Sequence, residues 1–435
     1  MHSRILSILS LVFIVASTAA QISSGPMLGH TGMTSSTIWI QMEKELDLKL
    51  RISSPSEPDF NLEVLARAEA PEFTAHFIVE GLKPGRSYTY KIEVPDLNFT
   101  SSEYSFKTQV LWQYRQPAPD FSIAMGSCSY INEEAFDRPG EGYGGNYEIF
   151  ETIAQTKPDL MLWLGDNTYF READLSSYGG MVHRYTHTRK TLEMQALLRA
   201  CPNYAIWDDH DFGPNDANGS FIFKNLAHRA FREFWANPSY GFNEKESTCS
   251  QFAFNDAEFF LLDNRSFRTD YDIKTLDPQI LGKEQIDWLI QSLKFSKSVF
   301  KFVLIGGQFL SDYAIYENHI QYEQERANII RRIAEENIGG VVFLSGDRHS
   351  SSLSKLEISA GRAMYDLTVS PLSSTAYDHS AEPNTNRIDG SSVSQRNFGI
   401  ISISGKKGER IAEIGLYAVD GKQLWTYRIQ EQDLY

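Results

Sequence analysis

Leu160-Met161-Leu162-Trp163-Leu164-Gly165-Asp166-Asn167-Thr168-Tyr169 is an apolar run that stops at a glycine and a carboxylate, with a tyrosine three residues further on. The same grammar returns along the chain. Residues 121–125 lead into Gly126-Ser127-Cys128, and residues 203–207 into Asp208-Asp209-His210-Asp211. Residues 299–305 lead into Gly306-Gly307-Gln308, and residues 341–344 into Ser345-Gly346-Asp347-Arg348-His349. Residues 258–262 form a further apolar run, and helical patterns cover 282–293 and 322–336. Strands alternating with helices predict an α/β domain on a substantial sheet. In open α/β sheets ligands bind beyond the carboxyl ends of the strands. Five strands that deliver Cys, Asp, Tyr and His to one edge form a pattern that core packing does not require.

Each motif alone has a plainer reading. Gly-Asp after a strand is a common turn, Tyr169 could be an amphipathic rim residue, and Cys128 could be a small buried hydrophobe. Asp208 to Asp211 could start a helix, with a carboxylate capping the first turn. Adjacent carboxylates directly after an apolar strand repel one another unless a cation sits among them, however, and Asp347-x-His349 meets the same objection. Order and context together predict a metal centre, with glycines letting the backbone turn sharply at the strand ends.

Outward from this region the organisation changes. Residues 37–41, 46–52 and 73–79 alternate in the strand manner. Gly81-Leu82-Lys83-Pro84-Gly85 feeds Tyr88-Thr89-Tyr90, which resembles the corner of a fibronectin type III or related β-sandwich. Residues 113–120, with Pro117 and Pro119, read as a linker. The expected division is therefore 1–20, 21–112 and 113–435. The last part ends in strand-rich stretches at 364–369, 398–404 and 410–427, with a Ser- and Asn-rich loop at 373–394. Residues 178–199, containing His183, Arg184, His187 and Arg189, read as an amphipathic helix with a solvated face. Gly213-Pro214-Asn215-Asp216-Ala217-Asn218-Gly219 reads as a loop over the site.

Arg4, an apolar run over 5–16 and the small residues Ser17-Thr18-Ala19-Ala20 predict a secretory signal cleaved after Ala20, hence a periplasmic or secreted protein. The formal net charge of −15 excludes nucleic acid as a standing partner, because phosphate-backbone binding needs a basic face. A phosphate substrate stays compatible, since bound cations reverse the local field. With 42% hydrophobic and 22% charged residues, the composition is that of a folded globular chain. Of the three cysteines, Cys128, Cys201 and Cys249, two could pair in an oxidising compartment and one would be left over.

The motif set Gly-Ser-Cys, Gly-Asp-x-x-Tyr, Trp-Asp-Asp-His-Asp and Gly-Asp-x-His resembles that of the PhoD-like alkaline phosphatases, a branch of the calcineurin-like metallophosphoesterases. The resemblance covers the chain from about Phe121 onward. It implies a metallophosphoesterase-type β-sandwich with flanking helices, preceded by a small all-β, fibronectin-III-like domain. It further implies a ferric ion on Cys128, Asp166, Tyr169 and His349, donors that suit iron. Asp166 would also reach a second cation, calcium or another divalent ion, with Asp209 and Asp347. Gln308 is the nearest counterpart of a histidine that ordinary metallophosphoesterases carry. With Cys128 given to metal, Cys201 and Cys249 remain as a disulfide pair.

The implied reaction is phosphoester hydrolysis, with hydroxide formed near neutral pH because metals lower the pKa of bound water. His210 would stabilise or protonate the leaving oxygen, and Arg348 would contact phosphate bidentately. Asn167 would touch substrate or support Asp166. The expected partner is a small-molecule or lipid phosphoester acted on by a monomer. Two rival readings remain: a purple-acid-phosphatase-like enzyme with an iron–zinc or iron–iron pair, and a non-catalytic surface binding protein.

Overall fold

The computed structural model describes residues 22–242, 246–359 and 361–435; the predicted signal segment lies outside them. Eight strands come first: β1 (Ile22–Thr31), β2 (Ser36–Met42), β3 (Leu46–Ser54), β4 (Glu57–Ala68), β5 (Thr74–Val79), β6 (Ser87–Val94), β7 (Phe99–Thr100) and β8 (Tyr104–Lys107). One sheet has the order β1-β2-β5, the other β4-β3-β6-β7 with β8 also on β6. Alternate residues such as Ile38, Ile40, Leu48, Leu50, Tyr88 and Tyr90 share one apolar core. The Lys83 N–H donates to the Tyr88 hydroxyl at 2.8 Å, tying the turn at 81–85 to β6.

Twelve further strands form two six-stranded sheets. The first is built from β9 (Phe121–Gly126), β10 (Leu160–Leu164), β11 (Asn203–Ile206), β18 (Asn397–Ser404), β19 (Ile411–Ala418) and β20 (Gln423–Gln430). Its order is β11-β10-β9-β18-β19-β20. The second contains β12 (Ser250–Phe254), β13 (Ala257–Leu261), β14 (Phe300–Leu304), β15 (Val341–Ser345), β16 (Ser352–Ser359) and β17 (Arg362–Thr368). Its order is β12-β13-β14-β15-β17-β16, with β13, β14, β15 and β17 mutually parallel.

The period-2 pleat explains why these strands read as nearly unbroken apolar runs. Leu160, Leu162 and Leu164 face Phe259, Phe302 and Leu344 across the sandwich interior. Met161 and Trp163 face outward under α1 (Glu148–Gln155), α2 (Tyr178–Arg189), α3 (Leu192–Ala200) and α5 (Lys224–Phe234), with α4 (Asp209–Phe212) between the last two. Val303 and Phe343 face outward under α6 (Gly282–Phe295) and α7 (Glu323–Glu335). Truncating an interior leucine such as Leu162 to alanine costs about 2–5 kcal/mol.

Two expectations change. Cys201 and Cys249 are buried and free, not a disulfide. Cys201 packs under the helices of the first sheet and Cys249 under those of the second, so the sandwich stands between them. The stretch 178–199 is not one solvated amphipathic helix. It is split into α2 and α3, and Arg184 and Arg189 are fully buried. The Arg184 guanidinium pairs with Asp174 at 2.8 Å and Glu133 at 2.7 Å. That of Arg189 lies 5.0 Å from the Trp39 ring and 4.1 Å from the Trp235 ring, bridging the N-terminal strands to α5. The strand-rich stretch expected over 410–427 is β19 and β20, whereas β1, β4, β12 and β16 lie outside every strand read from the sequence.

Candidate metal centre

At the end of β10 the chain turns on Gly165, at φ +93°, where a Cβ would stand 2.8 Å from that of Asp208. Only glycine lets two strand ends approach this closely. Cys128, Asp166, Asp347 and His349 follow their strands at φ 59°, 51°, 68° and 54°. Non-glycine residues seldom occupy this left-handed region, and such strain concentrates at functional sites. The turns aim four side chains from β9, β10 and β15 at one point.

Around that point the predicted residues converge. Donor atoms of Cys128, Asp166 and His349 all lie within 4.8 Å of one another. The Tyr169 hydroxyl is 3.2 Å from an Asp166 oxygen and 3.5 Å from His349 Nε2. His349 Nδ1 lies 2.5 Å from the Thr375 carbonyl, which fixes the proton on Nδ1 and leaves the Nε2 lone pair facing the cluster. Asp166, Asp209 and His210 form a second such group; Asp208, Asp209 and Asp347 form a third.

Asp208 to Asp211 satisfies both of its readings at once. Asp211 accepts the N–H groups of Asn167, Thr168 and Asp208, tying the β10 loop to the start of α4. Asp209 points into the cavity instead, with its Oδ1 buried and without a hydrogen-bond partner. Asn167 donates from Nδ2 to the Ile206 carbonyl at 2.7 Å, tying the β10 loop to the end of β11. Gln308 donates to Thr368 Oγ1 at 3.0 Å. Arg348 is buried, pairs with Glu382 at 2.5 Å, and lines the cavity. His210 lines it too, with its ring 4.2 Å from that of Tyr169.

Two residues escaped the sequence reading. Arg265 is fully buried and sets its Nε 2.6 Å from Asp208 while pairing with Glu317 at 2.7 Å. It follows β13 in Leu262-Asp263-Asn264-Arg265, the same strand-then-polar pattern, which was the available signal. Glu317, grouped with Asp209 and Asp216, stands in an irregular loop with no motif around it. Asn215, Asp216 and Asn218 line the cavity, as expected of the 213–219 loop.

Burial and mutual repulsion dominate the electrostatics. Burial, then Asp209 and Cys128, push the Asp166 carboxyl well above the usual range. Burial with Asp208 and Asp209 nearby pushes Asp347 up to about 8, and burial pushes Cys128 up to about 11. Asp209 departs from this trend: burial acts to raise it, but His210 and Arg265 outweigh that and hold it below the carboxylate range. Burial lowers both His210 and His349. A cluster that resists carrying its own negative charge, with an orphaned carboxylate oxygen, is matched by a bound cation. The donor set fits a soft or borderline ion beside a hard one.

The site therefore opens from the strand ends of an α/β sandwich and offers a carboxylate shared between two donor groups. Residues 123–409 match the PhoD-like phosphatase family, and the chain belongs to it. Residues 19–110 match a domain family of unknown function, DUF7800. The chain is 23% identical over 337 residues to alkaline phosphatase D of Bacillus subtilis (strain 168), covering 66% of this chain and 54% of that one. It thus spans about half the length of that curated relative. A solved structure of PhoD superposes with a TM-score of 0.77 at 18% identity, over 95% of this chain and 91% of that chain. A purple acid phosphatase from yellow lupin (Lupinus luteus) seeds gives 0.68 at 12% identity, over 93% and 74%. Both show a shared fold.

Proposed function

We propose that the protein is an exported, metal-dependent phosphoester hydrolase of the alkaline phosphatase or phosphodiesterase type. The observation that carries this reading is the convergence of Cys128, Asp166, Tyr169 and His349 on one side of a shared carboxylate, with Asp209 and Asp347 on the other. The first group would hold a ferric ion and the second calcium or another divalent cation. Bound there, the ions would supply Lewis-acid polarisation of the phosphoryl group and acidify water.

The chain's own groups have separate tasks. The His210 N–H would donate to the leaving oxygen, which takes a proton as its bond to phosphorus breaks. Arg348, held by Glu382, would present its guanidinium to a phosphoryl oxygen. Asn167 and Asp211 position the loop bearing Asp166. Export rests on the sequence pattern of residues 1–20, and among the described residues no helix is long and apolar enough to cross a membrane. The division at 112/113 and a fibronectin-III-like N-terminal domain are supported by its separate apolar core and the Tyr88 corner.

The test is elemental analysis of protein purified without chelator, paired with monoester and diester substrates across pH. Iron with calcium and phosphoester turnover is expected. Zinc alone, or no metal and no turnover, would sink the reading.

A further inference from the structure

The cavity above the metal cluster is large, about 1110 Å³, and its outer wall is aromatic. Tyr271, Tyr316 and Tyr377 line it while staying 49%, 59% and 47% exposed. The Arg348 guanidinium lies 4.7 Å from the Tyr316 ring centroid, and the ring surface still open to water along the cavity is surface the fold has not used for its own core. On one side the wall is continuous: the Tyr377 ring lies 5.5 Å from that of His349 and 6.3 Å from that of His379, which is 5.9 Å from that of Tyr316. Tyr316 and Glu317 both sit in the left-handed region, at φ 45° and 49°. Two consecutive strained residues mark a loop held for a purpose at this rim.

Charge narrows what the wall can receive. Among the described lining residues the guanidinium groups are Arg268 and Arg348. Arg268 is paired with Glu317 at 2.8 Å and Arg348 with Glu382 at 2.5 Å. The mouth adds Asp270, Asp272 and Asp378. Among the described lining residues neither guanidinium is left unpaired for a second phosphate or carboxylate, and these carboxylates repel polyanions.

We propose that the substrate is a phosphodiester with a single phosphate and an uncharged planar ring, a nucleoside or aryl ester, whose ring stacks on Tyr316 and Tyr271. This rests on the hydrolase reading above. Water oxygen bonds to phosphorus, the ester bond to the leaving oxygen breaks, and that oxygen takes a proton. The products are a phosphomonoester and an alcohol.

The test uses the metal-loaded full chain with thymidine 5′-(p-nitrophenyl phosphate) and with glycerophosphoglycerol, a diester without a ring. KM for the thymidine ester is expected to be at least about tenfold the lower, the worth of one stacked ring. Tyr316→Ala and Tyr271→Ala are each expected to raise that KM about tenfold, whereas Tyr316→Phe keeps it. A KM for the thymidine ester that neither alanine variant moves overturns the proposal, as does hydrolysis of the ring-free diester alone; both leave the hydrolase reading standing. Hydrolysis of neither diester, and of no monoester, by the iron- and calcium-loaded protein overturns both.

Discussion

The two sides of the Asp166 carboxylate are built by different means. On one side a thiol, a phenol and an imidazole come from Cys128, Tyr169 and His349, and no cationic side chain stands among them. On the other, Asp208, Asp209 and Glu317 gather around the buried guanidinium of Arg265. The first side is assembled by strained turns, and its neutral groups can be buried at little electrostatic cost. The second concentrates negative charge, which a protein interior tolerates only with compensation. One permanent internal cation therefore stands beside the place reserved for an exchangeable one. The proposed mixed site would need both solutions, because soft donors select an ion by ligand type and carboxylates by charge.

The largest expected effect comes from breaking what the sides share. Asp166→Asn should lower kcat by about 10³-fold or more and deplete both metals in elemental analysis. Full retention of either metal would show that the carboxylate serves one side alone. Cys128→Ser should separate the sides, with iron content reduced, divalent content kept, and kcat/KM down about 10²-fold. Arg265→Met removes the internal cation and should destabilise the protein by about 3–5 kcal/mol in urea unfolding, since it strands buried carboxylates. Added calcium should recover part of that loss; no recovery would mean that Arg265 and the divalent ion do not share a charge-balancing role.

The smallest effect concerns the metal-free protein and pH. Burial raises Asp347 to about 8 and Glu317 to about 7, above their values of 3.8 and 4.5 in the unfolded chain. A raised carboxyl stabilises the fold below its unfolded pKa, and that stability drains as pH rises through the folded value. The chelator-treated protein should therefore show a lower Tm at pH 8 than at pH 5.5, and calcium should flatten the trend. A Tm that rises over this interval without metal would show that the carboxylate side is not the charge-limited one.

The alternation of apolar strands and helices, and the polar residues at strand ends, were legible because both are local and periodic. Cys128, Asp166, Tyr169, Asp209, Asp347 and His349 could be picked out on that basis. Arg265 followed the same pattern but carries the opposite charge, so a search for ligands passed over it. The Cys201–Cys249 pairing failed for a geometric reason, since two buried cysteines can occupy opposite faces of one sandwich. The buried Arg184 and Arg189 looked like a solvated face because their partners, Asp174 and Glu133, Trp39 and Trp235, are scattered along the chain.

By itself, the sequence determined the strand-end grammar, the donor chemistry around Asp166 and the strand-rich N-terminal region. Tertiary structure alone decided that Asp211, next to the cavity-lining Asp209 and His210, ties the loops together. It alone brought Glu317 and Arg265 to the carboxylates and lined the mouth with Tyr271, Tyr316 and Tyr377. The physical reason is range. Propensity and periodicity act over a few neighbouring residues, whereas charge compensation and cavity walls are set by groups that meet only after the sheets have paired.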